Sequence, residues 1–102
     1  MADKDGTWRI VLVDDEADIR EVLGISLEDS GYEVETASDG ETGLRLCHAF
    51  RPHILITDIR MPGMDGLQLL EAVKGSQPEI EVIVATAFGE MQVAIRALHL
   101  DA

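Results

Sequence analysis

The chain has 102 residues, of which 46% are hydrophobic, and its formal net charge at pH 7 is −12. A chain of this length forms one domain at most, and its hydrophobic content favours a packed core over disorder. The acidic charge repels nucleic-acid phosphates and anionic lipid, so we expect no direct binding to nucleic acid and no membrane association. The start of the chain lacks a long apolar stretch, and its single cysteine, Cys47, cannot form an internal disulfide. We therefore expect a cytoplasmic protein.

The tail and the strands are predicted from local composition, in chain order. Residues 1–7 are polar and lack periodicity, which predicts a disordered tail before one domain over residues 8–102. Three short runs rich in β-branched residues, at 10–13, 54–57 and 82–85, are typical of strands buried on both faces in the centre of a parallel sheet. Residues 33–37 alternate charged and apolar side chains, which predicts an edge strand.

Helical patterns follow each predicted strand. Apolar residues recur at helical spacing in four segments: Ile19, Val22, Leu23 and Leu27; Leu44, Leu46 and Cys47; Leu67, Leu69, Leu70 and Val73; and Met91, Ala94, Ile95 and Leu98. Capping boxes are predicted from Ser38 and from Asp65, and Gly31 and Gly75 fall where helices would end. This alternation predicts an α/β fold, a doubly wound parallel sheet with right-handed crossovers and helices on both faces.

Three aspartates follow two of the predicted buried strands. Asp14 and Asp15 come directly after the run 10–13, and Asp58 comes directly after the run 54–57. The carboxyl ends of parallel strands form the crevice in which ligands bind, so the three side chains converge there if the first and third strands are neighbours and the second lies outside the first. The alternative is that Asp14 and Asp15 cap the next helix while Asp58 opens a loop.

A cluster of three carboxylates needs a cation. Two carboxylates about 4 Å apart repel by roughly 4 kcal/mol at an effective dielectric near 20. Oxygen ligands without histidine or thiolate favour Mg²⁺, which also binds phosphate oxygens. The sequence therefore predicts a magnesium site prepared for phosphoryl chemistry.

A hydroxyl residue, Thr86, stands at the end of the run 82–85. It could donate a hydrogen bond to a phosphoryl group on Asp58 and so sense its presence. Its alternative role is an ordinary helix cap or turn. The segment 61–66, MPGMDG, has the composition of a tight loop, and the backbone just before it could supply a carbonyl to a metal.

In this order the motifs LVDDE, TDIRMPGMDG and VIVATA resemble those of the response regulator receiver family of two-component signalling. The resemblance implies a sheet of strand order 2-1-3-4-5. It implies that Asp58 is the phosphoacceptor, that Asp15 binds Mg²⁺ directly and that Asp14 holds it largely through water. It also implies that the Arg60 backbone carbonyl completes the metal site and that Thr86 is the switch hydroxyl. The implied partners are a sensor histidine kinase, which supplies the phosphoryl group, and an output domain or partner protein.

The chain departs from the family pattern after its last helical segment. The family continues into a fifth strand and helix, which carry a lysine that pairs with the phosphoryl group and an aromatic switch residue. Neither Lys4 nor Lys74 can replace that lysine by position. We therefore expect an incomplete receiver domain of strand order 2-1-3-4, in which residues 82–85 form an exposed apolar edge that favours self-association.

Three functions remain open from the sequence. The first is a signalling phosphoacceptor that is not an enzyme. The second is an aspartyl-phosphate phosphatase or transferase, but those enzymes generally have a second acid two residues after the nucleophile, where this chain has Arg60. The third is a phosphorylation-independent interaction module on the same fold, which the missing lysine favours and the complete acidic trio opposes.

Overall fold

The structure is a computed structural model that describes residues 6–101, with side-chain environments up to residue 98. Residues 1–5 of the predicted tail lie outside the described residues. Strands and helices alternate along the chain in this order: β1 (Arg9–Val13), α1 (Ala17–Asp29), β2 (Glu33–Ala37), α2 (Gly40–Phe50), β3 (Ile54–Asp58), α3 (Gly66–Ser76), β4 (Glu81–Ala85) and α4 (Phe88–Asp101).

The strands form one parallel sheet with the order β2-β1-β3-β4. The predicted doubly wound arrangement 2-1-3-4 is therefore confirmed. Val13 pairs in register with Ala37 on one side and with Thr57 on the other, so three strands end together. Asp58, the last residue of β3, pairs with Ala85, the last residue of β4.

The core consists of two apolar layers, one on each face of the sheet. Alternate residues of a strand point to opposite faces, so Ile10 and Leu12 face one layer while Val11 and Val13 face the other. The first layer is covered by α1 and α4, and the second by α2 and α3. Helices on both faces confirm the prediction and leave the carboxyl edge of the sheet as the place where the loops meet.

Two predicted helix boundaries are confirmed. At the start of α3 the amide of Gln68 donates to Asp65 Oδ1 at 2.8 Å, and the amide of Asp65 donates to Gln68 Oε1 at 2.9 Å. This is a complete capping box, which satisfies two amides that the helix leaves free. Gly31 follows the end of α1 with a φ of 97°, a conformation that glycine adopts without steric cost.

Two other predicted boundaries are wrong. Asp39, not Ser38, caps α2, because its carboxylate accepts the amide of Thr42 at 2.8 Å. An ionised acceptor binds that amide more strongly than a hydroxyl does. α3 does not end at Gly75, because the amide of Gln77 still donates to a helix carbonyl at 2.7 Å and so closes one more turn.

Two residues assigned to apolar helix stripes do not belong to the core. Val22 of α1 is 54% exposed and Leu67 of α3 is 48% exposed, whereas Leu23 and Leu69 are buried. Successive helical residues are rotated by about 100°, so Val22 is turned by about 100° from Leu23, and Leu67, two residues before Leu69, by about 200°. Val22 and Leu67 were therefore wrongly included in the predicted apolar faces of α1 and α3.

Candidate functional site

Asp14, Asp15 and Asp58 meet at the carboxyl edge of the sheet. β1 and β3 are adjacent and parallel, so the residues that follow β1 lie beside the last residue of β3. One carboxylate oxygen from each aspartate lies within 4.8 Å of the other two. The structure thus brings together the three acids that the sequence singled out.

Asp14 is the buried member of this acidic cluster. Its residue is 3% exposed, and its Oδ1 accepts the amide of Glu16 at 2.9 Å. Its backbone is held from both sides, by its own amide donating to Ala37 and by the Arg20 guanidinium donating to its carbonyl at 2.8 Å. Burial raises the pKa of Asp14 above its usual value, and the charges of Asp58 and Asp15 raise it further.

The capping alternative holds for Asp14 but not for the whole cluster. Glu16 is the N-cap of α1 and makes no side-chain cap, so the bond from its amide to Asp14 orders the helix start. Asp58 lies on another strand and takes no part in that helix start. A cap needs one carboxylate and does not explain why three are placed together.

The backbone around Asp58 is fixed by four hydrogen bonds. The amide of Arg60 donates to Asp58 Oδ1 at 3.2 Å, and the Thr57 hydroxyl donates to the Asp58 carbonyl at 2.9 Å. The amide of Ile59 donates to Ala85 at 2.9 Å, and its carbonyl accepts the amide at the start of α3 at 3.0 Å. These bonds hold the Asp58 carboxyl half-exposed at the edge of the sheet.

Gly66 is a site residue whose role the sequence did not reveal. The loop after β3 folds back so that the first residue of α3 lies against the peptide of Asp58. A Cβ on Gly66 would lie 2.7 Å from the Cα of Ile59 and closer still to the carbonyl oxygen of Asp58. Both neighbours are backbone atoms, so glycine is required for the close approach rather than for a turn. Gly63, with a φ of 74°, is the glycine that the turn itself requires.

Thr86 follows the end of β4, and its hydroxyl donates to an acid of α4. The Thr86 Oγ1 donates to Glu90 Oε1 at 2.6 Å, and the Thr86 amide donates to the same oxygen at 2.6 Å. Glu90 lies in the first turn of α4 and was not singled out from the sequence. An acid at the third helical position is the signal that could have found it, because such an acid reaches back to the residues before the helix.

A groove of about 590 Å³ lies between the loop after β3 and the end of β4. Thr86 forms one wall, and Arg60 and Pro62 lie in the other. Lys74 lies elsewhere, because its ammonium donates to the carbonyls of Pro78 and Ile80 before the start of β4. Its position agrees with the expectation that it cannot reach a phosphoryl group on Asp58.

The acidic cluster has the ligand chemistry of a hard divalent cation. Its donors are carboxylate oxygens, and within residues 6–101 the groups that shift the pKa of Asp14 include three other acids and no basic side chain. The Arg20 guanidinium lies against the Asp14 backbone carbonyl and not against a carboxylate of the cluster. A cation with oxygen ligands fits this arrangement.

None of the helices within the described range 6–101 has the length and apolar character needed to span a lipid bilayer. The family model of the response regulator receiver domain matches residues 10–102. The regulatory protein AtoC of Escherichia coli is 36% identical over 94 residues, which are 92% of this chain and 20% of that protein. The chain therefore spans about a fifth of the length of this relative.

Solved structures show the same fold. The N-terminal domain of a response regulator receiver protein from Methanoculleus marisnigri is 36% identical, with a TM-score of 0.75, over 78% of this chain and 67% of that one. A chain in the complex of histidine kinase ThkA with response regulator TrrA is 38% identical, with a TM-score of 0.73, over 78% of this chain and 69% of that one. Fold, acidic cluster and family match agree, and the chain belongs to the response regulator receiver domain family of two-component signalling.

Proposed function

We propose that this chain accepts a phosphoryl group on Asp58 from the phosphohistidine of a sensor histidine kinase. The observation that carries the proposal is the acidic cluster, in which one oxygen of each of Asp14, Asp15 and Asp58 lies within 4.8 Å of the others. A half-exposed carboxylate beside two further acids can serve as a nucleophile while its neighbours hold a metal. The phosphorylated chain then alters a surface that an output domain or partner protein binds.

The chemistry needs one oxygen of Asp58. The Arg60 amide fixes Oδ1, and within the described residues no hydrogen bond is recorded to the other oxygen. That oxygen attacks the phosphorus, a P–O bond forms and the P–N bond to the histidine breaks. The imidazole leaves with the bonding electrons and takes up a proton. The acyl phosphate later hydrolyses, which resets the chain.

Mg²⁺ is the cation that we propose for the acidic cluster. Asp15, Asp58 and the Arg60 carbonyl would bind it directly, and Asp14 would hold it largely through water. When bound, it neutralises charge on the transferring phosphoryl group. The chain's own part is to keep Asp14 buried and oriented through the amide of Glu16 and the guanidinium of Arg20.

The test is phosphorylation by a small acyl-phosphate donor. The chain is incubated with acetyl phosphate and Mg²⁺, and the gain of one phosphoryl group is measured by intact mass spectrometry. We expect a hydroxylamine-sensitive product that is lost in Asp58→Asn and when EDTA replaces Mg²⁺. Asp29→Asn is the matched control, because Asp29 is exposed at the end of α1 and lies outside the acidic cluster. Equal labelling of Asp58→Asn and the wild-type chain contradicts the proposal.

A signalling role is favoured over a turnover enzyme. The residue two positions after Asp58 is Arg60, so the second acid of an aspartyl-phosphate phosphatase is not at that position. We expect stoichiometric labelling without sustained release of phosphate from added phosphoesters. Repeated turnover of such a substrate that depends on Asp58 would favour the enzyme.

We also propose that copies of this chain associate through β4. Within residues 6–101 no strand pairs with the outer side of β4, and Val82, Ile83 and Val84 are only half-buried. Unpaired apolar edges of this kind recruit further strands. Light scattering across a concentration series should show growing mass, and a monomer at high concentration with a cooperative melting transition would oppose this.

A further inference from the structure

We propose that Glu90 is a positioning residue that holds the Thr86 hydroxyl away from Asp58 in the unphosphorylated chain and competes with the phosphoryl group for it. This inference rests on the proposed function, because it assumes that Asp58 becomes phosphorylated. It assigns Glu90 a role in regulating the same site.

The backbone of Thr86 lies close to the segment that leaves Asp58. Asp58 and Ala85 are register partners, and the amide of Ile59 donates to the Ala85 carbonyl at 2.9 Å. Thr86 is the next residue, and it lines the same groove as Ile59 and Arg60. A hydroxyl in this position is therefore placed to turn toward a group attached to Asp58.

The Thr86 hydroxyl is already engaged. It donates to Glu90 Oε1 at 2.6 Å, and the Thr86 amide donates to the same oxygen at 2.6 Å. Hydrogen bonds to an ionised carboxylate are short and roughly twice as strong as neutral ones. These two bonds lower the pKa of Glu90 below its usual value, with a smaller contribution from the amide of Ala87. Glu90 is therefore ionised at neutral pH and remains an acceptor.

The competition follows from the chemistry of a hydroxyl. Thr86 Oγ1 has one hydrogen, which cannot be donated fully to Glu90 and to a phosphoryl oxygen at once. Both acceptors are anionic, so they do not share the donor favourably. When the hydroxyl turns to the phosphoryl group, Glu90 loses one of its two contacts with Thr86.

The loss reaches α4 directly. Glu90 lies in the first turn of that helix, where its carboxylate accepts amides that have no partner within the helix. The next residue, Met91, is buried with Ile95 against the layer that α1 also covers. A change in the bonds of Glu90 therefore changes the anchoring of the first turn of α4, whose remaining turns pack on the core.

The first arm of the test follows the Thr86 methyl resonance by NMR in the unphosphorylated chain, with the acetyl-phosphate-treated chain as reference. We expect Glu90→Ala to move this resonance toward its phosphorylated position, with a roughly three- to tenfold larger population of released hydroxyl, because one solvent-exposed hydrogen bond is lost. Glu90→Gln keeps a hydrogen-bond acceptor, so it should move the Thr86 methyl resonance less than Glu90→Ala does. Glu41→Gln is the matched control, an exposed first-turn acid of α2, and should leave it in place.

The second arm measures the resting contact without any phosphate. Thr86→Val should raise the pKa of the Glu90 carboxyl toward its usual value of 4.5, followed by its carbon chemical shift, while Thr86→Ser should retain the lowered value. An unchanged Glu90 titration in Thr86→Val overturns the inference. So does an unmoved Thr86 resonance in Glu90→Ala when mass spectrometry shows that Asp58 is phosphorylated. If the wild-type chain gains no phosphoryl group, the proposed function fails, and so does the proposed competition between Glu90 and the phosphoryl group. The Glu90 titration still tests the hydrogen bond between Thr86 and Glu90 in that case.

Discussion

Replacing Gly66 by alanine tests whether the backbone beneath Asp58 is as closely packed as the structure shows. The new Cβ would lie 2.7 Å from the Cα of Ile59 and closer still to the Asp58 carbonyl oxygen, whereas carbon contacts are favourable only from about 3.5 Å. Neither obstacle is a side chain that can rotate. The first turn of α3 must therefore move away from the end of β3.

The expected cost follows from two opposing effects. Overpacking costs about 1–3 kcal/mol, and the upper part of that range, about 2–3 kcal/mol, applies here because both obstacles are backbone atoms, while the better helix propensity of alanine offsets ~1 kcal/mol. We expect a net loss of about 1–2 kcal/mol in the free energy of unfolding and a melting temperature lower by roughly 4–16 °C for a domain of this size. Urea denaturation followed by circular dichroism measures the first, and a thermal scan the second.

Gly75→Ala is the matched control in the same helix. Gly75 lies inside α3, and a Cβ there meets nothing within 4 Å. The substitution should stabilise the chain by about 0.5–1 kcal/mol, so the two glycines should differ in sign. A Gly66→Ala chain as stable as the wild type would refute the argument, and a slower acetyl-phosphate reaction in that variant would support the placement of Gly66 beneath Asp58.

The remaining predictions concern a cap, a thiol, an acid and a titration. Asp65→Ala should cost about 1 kcal/mol by removing the capping box, whereas Ser38→Ala should change stability by less than ~0.5 kcal/mol in the same urea assay. Burial raises the pKa of the Cys47 thiol to about 11, so a thiol reagent should react quickly only in urea. Asp14→Asn keeps an acceptor for the amide of Glu16 but removes a buried negative charge, so it should raise the melting temperature of the chain measured in EDTA. The same substitution should weaken Mg²⁺ binding measured by calorimetry. The Thr42 hydrogen bonds lower the pKa of Asp39. The contribution of Asp39 to the free energy of unfolding is therefore present above pH 3.8 and is lost as the pH falls. Asp39→Ala should flatten that part of a plot of the free energy of unfolding against pH.

The strands were predictable because local composition determines them, whereas the convergence of the acids also required the order of the strands. A strand buried on both faces requires a continuous apolar run, and runs at 10–13 and 54–57 are each followed at once by aspartate. Once β1 and β3 are neighbours, the acids must meet at one edge. The order of the strands came from the family resemblance, because apolar runs alone do not state which strands are adjacent.

The contacts that sequence reasoning missed depend on direction and on close approach. Glu90 and Glu41 are both acids in the first turn of a helix, and a sequence pattern does not state the direction of either side chain, whereas the structure shows that Glu90 accepts the Thr86 hydroxyl. Gly66 was read as a turn residue, whereas it is needed because two backbones touch. Val22 fitted a helical stripe by spacing but lies on its exposed side.

Phosphorylation of Asp58 would couple two acidic groups at the carboxyl edge of the sheet. On one side three carboxylates lie together, and on the other side Glu90 holds the donor that a phosphoryl group would need. The phosphoryl group carries about −1.5 to −2 charges where the Asp58 carboxylate carried one negative charge, so it is tolerated there only with a cation and new hydrogen-bond donors. The Arg60 amide is already bound to Asp58, and the Thr86 hydroxyl at the end of the next strand is bound to Glu90. Recruiting the hydroxyl therefore releases Glu90, which would make the electrostatic demand at Asp58 the cause of a change at α4.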